Sequence, residues 1–182
     1  MTGPGRRRAA LRSLGPGDSA MAFFLILRGP LGAGKTTIAR ALAEAIGGEV
    51  MSIDAILDQW EWDGGSESLF LRASRVAAER ALPVLERGRP VIFDGNFYWE
   101  SAIEELPKRL AFPHRAFDLK VPLQTCIERD GGREHPHGEK SAREVFEKVA
   151  RFAYGIPIDA TRTIALVVGE IESHLPSGWI GG

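Results

Sequence analysis

Residues 29–36 read Gly-Pro-Leu-Gly-Ala-Gly-Lys-Thr, the spacing G-x-x-x-x-G-K-T, and stand between an unbroken apolar run and an amphipathic segment. Phe23-Phe24-Leu25-Ile26-Leu27 does not alternate, which predicts a strand covered on both faces. Beyond Thr37, Ile38, Leu42 and Ala45 recur on one side of a helix. Strand, glycine-rich turn and helix in that order turn successive backbone N–H groups inward around a polyphosphate, and the helix N-terminus adds partial positive charge. This is a P-loop in its required context. Lys35 is expected to reach the β- and γ-phosphates of ATP, and Thr36 to offer its hydroxyl to Mg²⁺. The cradle comprises Gly29, Pro30, Leu31, Gly32, Ala33, Gly34, Lys35, Thr36 and Thr37.

A chain of 182 residues suits one domain with a sizeable core and a small mobile insertion. Lys and Arg (23) nearly cancel Asp and Glu (24), so net charge does not call for a nucleic-acid partner. Cys126 is the only cysteine; it can form no internal disulfide, which fits a reducing compartment. The longest apolar run, Ala20 to Leu27, is far shorter than the roughly 20 residues of a spanning helix. A soluble, cytoplasmic protein without a membrane partner is expected.

Residues 1–20 hold Gly, Pro, Ser and the cluster Arg6-Arg7-Arg8 without apolar periodicity, and are expected to be a disordered tail ahead of a domain spanning 21–182. Three origins stay open: an upstream start preceding one at Met21, a solvated extension, or an Arg-rich import signal.

Glu49 to Ile53 reads as a second strand ending at Asp54. Ligands of open parallel sheets bind beyond the carboxyl ends of strands, so Asp54 is a candidate for the acceptor site as well as a helix N-cap for residues 55–58. Trp60 and Trp62 suit either a pocket or the core, and Arg72 and Arg75 either an anionic acceptor or, preferentially, a solvated face. A helix is predicted from about Glu67 to Gly88, kinked or restarted at Pro83. Pro90-Val91-Ile92-Phe93-Asp94 ends an apolar strand in a carboxylate, the form of a Walker B element, so Asp94 is a Mg²⁺ candidate. Asn96 serves equally as ligand contact or turn residue.

Ser101-x-x-Glu104 and Ser141-x-x-Glu144 have the spacing of capping boxes. Residues 115–121 form the fourth predicted strand, and Arg129 and Arg133 share one face if the following helix continues. The charged, Gly-rich segment 130–140 has the composition of a lid. Its His135-Pro136-His137 lacks further metal ligands. Gly155 to Asp159 is the last short strand, and Thr163 opens a final helix, with a strand over 163–168 as the alternative.

No N-K-x-D guanine signature follows the fourth strand, and Gly95, not glutamate, follows the Walker B aspartate. Both facts argue against GTPases and motor ATPases. From Phe23 to Leu175 the chain resembles small P-loop kinases of the nucleoside-monophosphate-kinase-like superfamily, within the neighbourhood of zeta toxins, polynucleotide kinases and chloramphenicol phosphotransferases. The resemblance rests on residues 29–37, Ser52-Ile53-Asp54, Val91-Ile92-Phe93-Asp94-Gly95-Asn96, the stretch 121–133, and Ile158-Asp159-Ala160-Thr161.

The resemblance implies a three-layer α/β/α fold, a five-stranded parallel sheet in order 2-3-1-4-5, and a mobile lid. It implies that Asp54 binds or deprotonates an acceptor hydroxyl, that Arg129 lies near the adenine, that Arg133 neutralises the transferring phosphate, and that the loop Asp159 to Arg162 holds the base. Lys35, Asp54 and Arg133 are then the catalytic residues, and Arg129 and Arg162 join the P-loop in holding ATP. The activity implied is ATP-dependent phosphorylation of a hydroxyl on a small molecule. Alternatives are a polynucleotide 5′-hydroxyl or nucleotide kinase, nucleic acid being a disfavoured partner, and a regulatory or toxin-like ATP-binding module. The acceptor and the oligomeric state are not readable from the sequence.

Overall fold

The computed structural model describes residues 21–180; the expected N-terminal tail lies outside them. Five strands, β1 (Phe24–Arg28), β2 (Glu49–Ser52), β3 (Val91–Gly95), β4 (His114–Lys120) and β5 (Ile156–Asp159), form one sheet in the order β2-β3-β1-β4-β5. Every pairing is parallel. The connecting helices are α1 (Lys35–Ile46), α2 (Ile53–Leu57), α3 (Glu67–Glu86), α4 (Glu100–Arg109), α5 (Leu123–Gly131), α6 (Glu139–Ala150) and α7 (Ile164–Ser173).

The missing alternation in β1 has a direct cause: both faces of the strand are buried. Phe24 and Ile26 enter a core with Ile56 of α2, Phe70 and Ala77 of α3 and Ile103 of α4. Phe23, Leu25 and Leu27 enter the opposite core with Ile38 and Leu42 of α1 and Val167 and Ile171 of α7. Two helical layers therefore sandwich the sheet. The register sets Leu27 opposite Asp94, and Arg28 opposite both Gly95 and Asp118. The carboxyl ends of β1 and β3 thus open at one level, beside the P-loop.

Several local expectations need correction. β2 ends at Ser52, whose hydroxyl caps α2 by accepting from the Ala55 N–H at 3.3 Å, so Ser52 and not Asp54 is the N-cap. α3 is continuous through Pro83, which closes the alternative of a restart there; the proline lies on the exposed face, where water can serve the carbonyl it leaves without a donor. Neither capping box forms. α4 begins at Glu100 after Trp99, and the Ser101 hydroxyl instead donates to Glu67 of α3 at 2.5 Å. α6 begins at Glu139 after Gly138, whose N–H donates to Asp130 at 2.9 Å. α5 stops at Gly131, so Arg133 does not share a helical face with Arg129. Residues 164–173 are helical, which closes the alternative of a strand there.

Candidate active site

The P-loop is held open by its glycines and closed by its neighbours. Gly32 and Gly34 take φ of 79° and 87°, the left-handed region that suits glycine. A Cβ on Gly32 would stand 2.3 Å from the carbonyl oxygen of Cys126, so α5 packs directly beneath the loop. Lys35, the first residue of α1, is only 7% exposed. Its ammonium donates to Pro30 O at 3.1 Å and to Asn96 Oδ1 at 2.8 Å, and lies 3.9 Å from Asp54 Oδ2. Burial lowers its pKa, and the charges of Asp54 and Asp94 work against that shift.

Asp94, 1% exposed, accepts from the Thr36 hydroxyl at 2.9 Å through Oδ2, while Oδ1 has no partner. Burial pushes its pKa up against the hydroxyl and Lys35. A buried carboxylate oxygen without a donor costs free energy. Beside a threonine hydroxyl and a phosphate cradle, it is the hard oxygen set that Mg²⁺ takes, so Thr36 and Asp94 fit that ion. Among the described residues no group of three or more His, Cys, Asp and Glu side chains is arranged for a metal. His137 instead sits 3.1 Å from Asp130.

Asp54 lies in the first turn of α2, and its Oδ1 accepts from the Asn96 N–H at 3.2 Å. Asn96 thereby contacts both Lys35 and Asp54. Burial pushes the Asp54 carboxyl up, opposed by the Lys35 charge and that N–H. The pair opens into a cavity of about 630 Å³. One end of the cavity is the cradle, with Leu31, Gly34, Thr36 and Thr37, joined by Arg133. The other carries Trp62, Phe70 and Tyr98, with Glu144 and Lys148 of α6.

Lys35, Thr36, Asp54 and Arg133 therefore meet around one space, and Asp94 adjoins it through Thr36. Arg129 and Arg162 lie outside its lining. Arg129 donates to Ala160 O at 3.1 Å, and Arg162 donates to Asp159 O at 3.2 Å and pairs with Glu170, so both grip the loop after β5. Of the two tryptophans, Trp62 lines the cavity, while Trp60 packs on the core beneath Arg72 at 4.2 Å. Arg75 pairs with Glu105 at 2.8 Å. Tyr98, Glu144 and Lys148 are not among the candidates that the sequence offers. Ser141-x-x-Glu144 has capping-box spacing, but Glu144 stands four residues before Lys148, which puts both on one face of an amphipathic helix.

A parallel sheet of this order with a P-loop between β1 and α1 defines a small P-loop kinase-like fold. The chain belongs to the AAA domain family AAA_33, which matches residues 24–154. No curated protein sequence matches it. Among solved structures it is similar to a sugar kinase from Janibacter sp. HTCC2649, with a TM-score of 0.70, 18% identity, and coverage of 84% of this chain and 93% of that one. The APS kinase CysC of Mycobacterium tuberculosis, solved with AMPPNP and APS, aligns with a TM-score of 0.69 at 17% identity over 84% and 96% of the two chains. A gluconokinase from Sinorhizobium meliloti 1021 gives a TM-score of 0.61 at 17% identity over 82% and 89%.

Proposed function

We propose that this protein is an ATP-dependent phosphotransferase that moves the γ-phosphoryl group of Mg·ATP to a hydroxyl of a small molecule. The observation that carries the reading is the placement of Asp54 3.9 Å from the P-loop lysine, at the seam between the phosphate cradle and an aromatic-lined recess.

In the proposed reaction the acceptor oxygen attacks the γ-phosphorus in line, a new O–P bond forms, the bridging P–O bond to ADP breaks, and ADP leaves with the electron pair. Asp54 orients the hydroxyl and takes its proton, since an alcohol attacks sluggishly while it keeps that proton. Lys35 and Arg133 offset charge on the equatorial oxygens. When bound at Thr36 and Asp94, Mg²⁺ would neutralise charge on the β- and γ-phosphate oxygens. The segment 130–140, exposed from Gly131 onward and carrying Arg133, would act as the lid that keeps water from the γ-phosphate. Arg129 of α5, which donates to Ala160 O, and Arg162 of the loop 159–162 would border the adenine. An ATP consumer with one buried thiol, Cys126, suits the cytoplasm.

The sugar, gluconate and APS kinases of similar fold support a small-molecule acceptor. The test is ADP release from Mg·ATP across sugars, nucleosides, nucleotides, aminoglycosides, phenicols and 5′-hydroxyl oligonucleotides, with Lys35→Ala as the blank. Lys35-dependent turnover on a small alcohol supports the reading. Turnover confined to oligonucleotides, or ATP binding without turnover on any acceptor, overturns it.

A further inference from the structure

The last turn of a helix is a poor place for a carboxylate, because the helix dipole has its negative end there. Asp130 stands in the last turn of α5 and is 1% exposed, while every residue from 131 to 140 is exposed. A buried carboxylate persists only where partners replace its water. Its side-chain partners all come from the loop that joins α5 to α6. Oδ2 accepts from the Gly138 N–H at 2.9 Å, His137 Nδ1 lies 3.1 Å from Oδ1, and Arg133 Nε lies 3.7 Å from the same oxygen. Gly138 presents its N–H with φ of 90° and ψ of 159°, a backbone region that is essentially glycine's own. Among the described residues, no side chain other than that of Asp130 hydrogen-bonds to the segment 131–138.

Burial pushes the Asp130 carboxyl up, but His137, the Gly138 N–H and the Arg133 charge together pull it below the ordinary range, so it stays ionised. Arg133 is held by this one residue twice over. Its backbone N–H donates to Asp130 O at 3.1 Å, and its Nε edge faces the Asp130 carboxylate. The guanidinium donates no hydrogen bond among the described residues, yet it lines the cavity beside the phosphate cradle. There its charge is felt: burial first, and the Arg133 charge with it, lower the Lys35 pKa. An arginine whose Nε edge is paired with a fixed carboxylate keeps its two Nη groups for a second anion.

We infer that Asp130 is a positioning residue for the third phosphate of ATP: it ties the loop 131–138 to the end of α5 and holds Arg133 with its Nη groups free for the cradle. This rests on the kinase reading, in which Arg133 meets the γ-phosphate. Asp130 does not line the cavity, so it acts through Arg133 and not on the nucleotide or the acceptor.

The test compares Mg·AMPPNP with Mg·ADP in calorimetric titration of the full chain, because the ratio of the two affinities isolates the groups that meet the third phosphate. Arg133→Ala should lower that ratio about tenfold or more, the scale of one hydrogen bond to a charged group. Asp130→Ala should lower it by about as much, and the double variant no further, since residues that act as one unit do not add. A merely structural tie would weaken both nucleotides alike. Asp130→Asn, of the same shape but without the charge, should follow alanine and serves where the alanine variant does not fold. In the nucleotide-free chain, exchange of the Arg133 and Gly138 amides, read in a peptide spanning residues 131–139, should quicken about tenfold or more in Asp130→Ala and not in Arg133→Ala. An unchanged ratio in either single variant, losses that multiply in the double variant, or unaltered exchange overturns the inference. Failure of the kinase reading is separable: the ratio would still fall in both single variants while no acceptor gave Lys35-dependent ADP release.

Discussion

Lys35 Nζ donates to Asn96 Oδ1 at 2.8 Å, and the backbone N–H of Asn96 donates to Asp54 at 3.2 Å, so one residue just beyond β3 ties the P-loop lysine to the Asp54 carboxylate. A hydrogen bond to a charged group contributes about 1.5–3 kcal/mol, and about 1.4 kcal/mol is tenfold in rate. Asn96→Ala should therefore lower kcat/KM about ten- to hundredfold in the ADP-release assay, with ATP affinity changed much less. Asn96→Asp should not rescue it, because a third carboxylate beside Asp54 and Asp94 would draw Lys35 away from the phosphates. Unchanged kcat/KM in Asn96→Ala would remove the bridge from the chemistry.

The Asp54 carboxyl is pushed up by burial more than Lys35 and the Asn96 N–H pull it down. In the proposed reaction its working form is the carboxylate, so as pH falls through the raised value that base would be lost and activity should drop. The acid limb of the kcat/KM profile should lie above the ordinary carboxylate range, with a slope set by a single proton. Asp54→Asn should lose most turnover while still binding ATP, and its residual rate should show no such limb. A limb that survives in Asp54→Asn would assign the proton elsewhere.

Arg28, 2% exposed, is held by its whole fork. Nε donates to Phe97 O at 3.1 Å, Nη1 to Phe152 O at 3.1 Å and Nη2 to Val149 O at 2.5 Å, while Asp118 lies 3.4 Å away. The same side chain thus secures the end of α6, which lines the recess, and Phe97, whose φ of 45° is unusual for a residue with a Cβ. Arg28→Met leaves Asp118 with Lys120 Nζ at 3.3 Å and the Tyr154 N–H at 3.1 Å, takes the guanidinium donors from three carbonyls, and should cost about 3–5 kcal/mol in urea unfolding. Arg28→Lys keeps the charge but not the fork, and should fall between Met and the parent. A loss below about 1 kcal/mol, the range of exposed pairs, would show that the cluster is solvated in solution.

What the sequence made legible was local. The P-loop depends on eight consecutive residues, and the buried strands announced themselves through runs such as Val91-Ile92-Phe93, because both faces of the sheet are covered. The strand order came with the resemblance, not with the patterning. What stayed hidden was made by distant pairing. Arg28 reads as the end of a strand until Asp118 and Phe152 are brought to it. Ser101 has capping-box spacing, but Glu67 of α3 takes its hydroxyl, so a tertiary contact overrode a local signal. The recess behaves likewise: Trp62, Tyr98 and Glu144 lie far apart along the chain, and no periodicity links them.

Gly32 and Gly34 share the left-handed backbone but differ in their surroundings, which separates two contributions to phosphate binding. A Cβ at Gly32 would stand 2.3 Å from the Cys126 carbonyl oxygen, whereas one at Gly34 finds nothing nearer than Ile38 Cδ1 at 3.7 Å. Both substitutions incur the strain of a side chain at positive φ, about 1–2 kcal/mol. Only Gly32→Ala must also move the backbone of α5 or of the loop, and with it the N–H groups that would face the phosphates in the proposed ATP complex. Calorimetry with Mg·AMPPNP should therefore show Gly32→Ala losing affinity at least about tenfold more than Gly34→Ala, beyond what their shared strain explains. Equal losses would mean that strain alone governs the cradle and that its packing on α5 does not shape it.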